Sequence, residues 1–247
     1  MADWNNNLGS SQRLGSVPRA GGDIASRAGY DEGLRSYMLA IYNHMASAVL
    51  LTGIVALVAA SSGITQALAG TPLMWIVALA PLGFVMAMSF GLHKMSKGTL
   101  NVLFWTYAAA MGLSLSTIFL VYTGESIATT FFATAGAFAG LSLYGYTTKK
   151  NLSGLGSFLI MGVIGIVIAM LVNLFLQSSA LNMVISVIGV LVFAGLTAYD
   201  TQRLKNDYTA LRGTEFMGKA VIMGALSLYL DFINMFMFLL NFLGNRE

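Results

Sequence analysis

Residues 155–176 read LGSFLIMGVIGIVIAMLVNLFL, and no side chain in that run carries a charge. A helix needs about 20 apolar residues to cross the roughly 30 Å hydrocarbon core of a bilayer, and this run is long enough. Six further stretches share its character, near 36–60, 73–92, 100–122, 127–147, 180–200 and 220–243. The reading is an all-α membrane protein, a bundle of seven transmembrane helices. Its short gaps set sequence neighbours antiparallel.

The gaps between these runs orient the chain. Arg13, Arg19, Arg27 and Arg35 precede the first span. The second gap holds Lys94 and Lys97, the fourth Lys149 and Lys150, and the sixth Arg203, Lys205, Arg212 and Lys219. The first, third and fifth gaps have neither Lys nor Arg. Positive residues accumulate in cytoplasmic loops, so the N-terminus is expected in the cytoplasm. Seven full crossings would place Arg246 and Glu247 outside. A re-entrant last helix would return them inside without altering any other loop.

Composition agrees. Of 247 residues, 57% are hydrophobic and only 9% charged, against about 25% charged in a soluble domain. The pI near 9.2 reflects the scattered loop cations rather than a nucleic-acid surface. No Cys is present, which excludes disulfides and thiolate chemistry. His44 and His93 cannot form a metal site alone, so neither metal nor cofactor is expected. Residues 1–34 hold Gly, Ser, Asn and charges of both signs and read as a flexible cytoplasmic tail. Residues 35–247 form the membrane domain. The first apolar run starts too far in, and is too long, for a signal peptide.

Packing signals are common in the spans. Gly136 and Gly140 make a GxxxG pair, and Gly112 with Ser116 a small-xxx-small pair; such spacings let helix backbones approach. The fifteen Met suit gap filling. Pro81 interrupts the second span, where a proline can loosen the backbone and permit a bend.

Few residues in the spans can carry chemistry. Asp231, in Leu228-Tyr229-Leu230-Asp231-Phe232-Ile233-Asn234, sits about twelve residues into the last run, on the order of 18 Å deep. An unpaired carboxylate there costs about 2.5–3.5 kcal/mol even on permissive scales, so it must face the interior and hold a partner or a proton. Asp200, in Leu196-Thr197-Ala198-Tyr199-Asp200-Thr201-Gln202-Arg203-Leu204-Lys205, ends the sixth run. From spacing alone it is equally an interfacial acid beside Arg203 and Lys205. Asn43, His44, Asn101, Asn173 and Asn234 suit interhelical hydrogen bonds. Glu125, in the third gap, is a solvated loop residue or an acid that draws cations to an entrance.

The stretch Ala225–Gly244, ALSLYLDFINMFMFLLNFLG, closely resembles the signature end of the transmembrane Bax inhibitor motif family. Ala194–Lys205, AGLTAYDTQRLK, resembles that family's second acidic motif, and Ile41–Ala56, IYNHMASAVLLTGIVA, its first helix. The resemblance covers about residues 36–244. It implies six helices around a central seventh, and Asp200 and Asp231 meeting near the cytoplasmic side as a proton-sharing pair. It also implies a pH-sensitive calcium leak: the protonated pair holds the path shut, and loss of the proton sets like charges against each other. Asp231, Asn234 and Glu125 would line the ion path. Members carry an Arg at the cytoplasmic end of the second helix that latches the pair. Here Lys94 is nearest that place with His93 adjacent, and a Lys point charge cannot reproduce a bidentate guanidinium.

Two function classes follow, neither an enzyme. One is a calcium leak channel in a bacterial inner membrane. The other is an interaction protein acting on a membrane protease, quality control or a stress or cell-death response, as family members are associated with both. An intramembrane aspartyl hydrolase fits poorly, since no GxGD setting surrounds Asp231.

Overall fold

The computed structural model describes the backbone of residues 20–245 and the side chains of residues 31–245. Trp4, Arg13, Arg19, Arg27, Arg246, Glu247 and most of the 1–34 segment lie outside those side chains. The chain divides into two units, 1–36 and 37–247, and the second carries the bundle.

Hydrophobic runs become helices because every backbone N–H and C=O in lipid must be satisfied within the segment. The helices are α1 (Ala20–Ser61), a short α2 (Ile64–Leu68), α3 (Leu73–Gly91), α4 (Lys97–Leu115), α5 (Gly124–Thr147), α6 (Ser153–Leu176), α7 (Ser179–Leu211) and α8 (Met217–Leu243). A 3-10 turn, Ser116–Leu120, continues α4. No strand occurs among the described residues. All but α2 are long and apolar enough to span a membrane, so the protein is a multi-pass membrane protein.

Helix ends depart from the hydropathy reading in informative places. The helix before the first span begins at Ala20, inside the segment read from composition as a tail. The sixth span, expected to stop at Asp200, continues as α7 to Leu211. Hydropathy marks only the length that lipid touches, whereas the hydrogen-bond ladder runs on into polar sequence. Asp200 therefore lies about three turns inside its helix. The overhang is fastened to its neighbours. Gln202 accepts from the Leu152 N–H and donates to the Lys150 carbonyl, both at 2.8 Å. Lys205 donates to the Tyr146 carbonyl at 2.7 Å, a cation capping the last turn of α5.

The last helix runs from one end of the bundle to the other. At its start Lys219 donates to the Leu92 carbonyl, beside the cation-bearing second gap. At its far end Asn245 N–H donates to Ser126 Oγ at 2.9 Å, and Asn241 Oδ1 accepts from Asn182 at 2.7 Å. Twenty-seven residues, about 40 Å at 1.5 Å each, carry α8 from the cation-rich end of the bundle to the other. It is also the most enclosed span: 61% of its apolar window is buried, against 11–39% for the others. It packs on α7, α5 and α4, while α6 packs on α7 and α3 on α4. The outer helices α3 and α6 turn Trp75, Phe90, Phe158 and Phe175 outward, where lipid takes the place of a core.

Close approach occurs at only some of the small residues. A Cβ on Gly145 would run into the Ala198 backbone, and one on Gly112 into Thr52 and Val55. Gly136 and Gly140, expected from their spacing to pack closely, meet no atom within 4 Å; their side of α5 faces outward. The contrast yields a test. Gly145→Ala should cost about 1–3 kcal/mol by overpacking the α5–α7 contact, seen as a lower melting temperature in detergent. Gly136→Ala should leave that temperature unchanged or slightly raised, since Ala favours helix.

Candidate functional site

The site lies where α7 and α8 face each other. Asp200 is 6% exposed and Asp231 4%, so both carboxyls are withdrawn from water and lipid. The charge of Asp200 is felt at Asp231, and that of Arg203 at both. Arg203 follows Asp200 by three positions on one helix face. Its Nη1 lies 3.2 Å from Asp200 Oδ1, and its Nη2 donates to Ser227 Oγ of α8 at 3.0 Å. Ser227 is one turn before Asp231 on the same face of α8. One guanidinium and one hydroxyl thus tie α7 to α8 at the level of the acids.

Asp231 differs from Asp200 in its surroundings. Its Oδ2 is buried with no hydrogen-bond partner among the described residues. Asp207, one further turn along α7, is half-buried and also acts on Arg203. Three acids therefore draw on one cation. That cation is loosely held: the Arg203 side chain is 41% exposed, and a pair in contact with water is worth only about 0–1 kcal/mol.

Two residues before Asp231, Tyr229 is fully enclosed. The Thr52 hydroxyl donates its only proton to the Ala108 carbonyl at 2.8 Å. The 2.7 Å contact between Thr52 and Tyr229 must therefore have the tyrosine as donor. Tyr107 meets the Tyr229 ring edge-on at 5.2 Å. On the other side of α8, Phe131 and Phe138 of α5 meet Phe232 edge-on at 5.6 and 5.5 Å. Aromatic packing and one threonine fix the helix segment that holds Asp231.

A family model described as inhibitor of apoptosis-promoting Bax1 matches residues 34–247. The chain belongs to that family. It is 48% identical to the inner membrane protein YbhL of Escherichia coli K12, over 93% of this chain and 98% of that protein. It is 49% identical to the protein RP147 of Rickettsia prowazekii, covering 88% of this chain and 93% of that one. A Caulobacter vibrioides protein is also 49% identical, over 88% and 92% of the two chains.

The remaining expected site residues are dispersed. His93 and Lys94 are exposed in the turn after α3, and His93 stacks on Phe216 at 6.2 Å. The cation on Asp200 is instead Arg203 of the same helix. Asn234 donates to the Leu230 carbonyl of its own helix at 2.8 Å. Glu125 is exposed in the first turn of α5, at the opposite end of that helix from Gly145, which contacts α7 near Asp200. Sequence reasoning noted Arg203 beside Asp200 but did not place it in the site, although the i, i+3 spacing signals such a pair. Ser227 was missed too, and its i, i+4 relation to Asp231 was the available signal.

The hydroxyl contacts supply a paired test. Thr52→Val leaves the Tyr229 hydroxyl buried without an acceptor, which costs about 1–3 kcal/mol. Tyr107→Phe removes a buried hydroxyl that has no partner among the described residues, so it should be neutral or mildly stabilising. Thermal unfolding of the two variants in one detergent measures both.

Proposed function

We propose that this chain is a pH-sensitive leak path for calcium, set by Asp200 and Asp231, in a bacterial inner membrane with its N-terminus in the cytoplasm. The observation that carries this reading is the count of charges at the α7–α8 contact. Two buried carboxyls face one half-exposed guanidinium, and Asp231 keeps an oxygen without a partner. One cation offsets one carboxylate, so the second carboxyl rests there comfortably only while it holds a proton. The pair titrates as a unit.

The sign follows from that balance. With the proton in place, the carboxyls, Arg203 and Ser227 hold α7 against α8, and the path is closed. Removing the proton leaves a surplus negative charge in a site of low dielectric, where like charges repel strongly. Separation of the helices relieves the repulsion, and the exposed carboxylates then attract a cation. Calcium suits this role because it takes oxygen ligands in flexible geometry. The loop cations support the assigned orientation. The name of the Escherichia coli relative, an inner membrane protein, supports the assigned membrane.

Calcium-dye flux into liposomes carrying the purified protein, from pH 6 to 8, tests the reading. Flux should rise with pH in the parent protein. Asp200→Asn and Asp231→Asn should each abolish the pH dependence, because an amide cannot lose the proton. Folded protein that passes no calcium at any pH overturns the proposal and leaves regulation of a membrane partner as the better account.

A further inference from the structure

A cavity of about 400 Å³ opens sideways between α1 and α5, within the size range of small-molecule sites. Its floor is Phe232, Ile233 and Phe236 of α8, the residues that follow Asp231. Gly53 of α1 and Ala128 of α5 form part of its walls. It lies in the half of the bundle away from the Lys and Arg residues, since the 3-10 turn after α4 and the first turns of α5 close its far end.

Three observations identify the occupant. The lining is apolar apart from Thr52, and that hydroxyl is already engaged by Ala108 and Tyr229. A water molecule needs two to four polar partners, which this cavity does not offer, and a polar ligand would find nothing to bond. A Cβ on Gly53 would meet no atom within 4 Å, so the chain's own side chains do not fill the space. Finally, the opening is continuous with the lipid-facing surface: Leu50, Ile54, Leu57 and Phe132 line the cavity and are 64%, 53%, 58% and 73% exposed.

We propose that the cavity between α1 and α5 is a binding site for one acyl chain of a bilayer phospholipid, from the leaflet away from the Lys and Arg end. The seated chain touches Phe232 and Ile233 directly, so lipid contacts the segment of α8 that holds Asp231. This site does not depend on the calcium reading, because it rests only on the membrane fold and the shape of the cavity.

Photo-crosslinking tests it. The protein is reconstituted in vesicles of phosphatidylcholine carrying a diazirine on one acyl chain, irradiated, and mapped by peptide mass spectrometry. Phe131 and Ile233 should be labelled several-fold more than Phe175, which stands on the open lipid face. Gly53→Leu extends a side chain into the cavity and should remove that excess with an unchanged circular dichroism spectrum. Ala128→Leu fills the same space from α5 and serves if the first variant misfolds. Groove labelling no higher than at Phe175, or an excess that persists in the filled variants, overturns the proposal.

Discussion

A carboxyl group inside a hydrocarbon layer must be paired, protonated or absent, and much else in this bundle accommodates two of them. Asp231 is tolerated because α8 is the most enclosed span, with its acid turned toward α7 rather than lipid. Asp200 is tolerated because its helix carries Arg203 three positions on, and Ser227 of α8 accepts a hydrogen bond from that guanidinium. The enclosure of α8 therefore serves a chemical need as well as a packing one. A less covered last helix would leave Asp231 facing lipid at the cost that makes such residues rare.

The same constraint explains how the two ends of the bundle are finished. At the cation-rich end, Lys205 and Lys219 bond the carbonyls that helices α5 and α3 leave open, and Gln202 spans the turn between α5 and α6. Two of the cations at this end thus also cap helices. At the other end the work is done by neutral groups, Asn182 with Asn241 and Asn245 with Ser126. The positive caps are gathered toward one side, and the opposite end is tied by amides and hydroxyls that do not titrate.

The spans were legible in the sequence because lipid demands long apolar runs and punishes charges. Their true ends were less so. The α7 residues from Thr201 to Leu211 are polar enough to read as a loop, yet they continue the helix and pack on their neighbours, Gln202 and Lys205 on the α5–α6 end, Arg203 on α8 and Tyr208 on Tyr37 of α1. That extension matters most, since it turns Asp200 from a boundary residue into one well inside a helix. The acidic motifs were also legible, through resemblance rather than through spacing. Arg203 was harder to rank, because a cation three residues from an acid at a membrane boundary also reads as an orienting charge. Gly136 and Gly140 show the opposite error: a packing motif records that backbones can approach, not that a partner is present.

Sequence also conceals the asymmetry of the two faces of α8. On one face Ser227 and Asp231 meet α7 through charge and hydrogen bonds. On another, Phe232, Ile233 and Phe236 floor a cavity open to lipid. These contacts respond to different variables. The polar face depends on how firmly a half-exposed guanidinium is held between the acids and Ser227. The apolar face depends on what fills the space between α1 and α5. Both involve neighbouring residues of one helix, Asp231 on the polar face and Phe232 on the apolar one. A protonation equilibrium read at Asp231 is therefore best measured in a defined lipid, because the next residue in the chain, Phe232, lines a cavity that opens on the apolar outer surface.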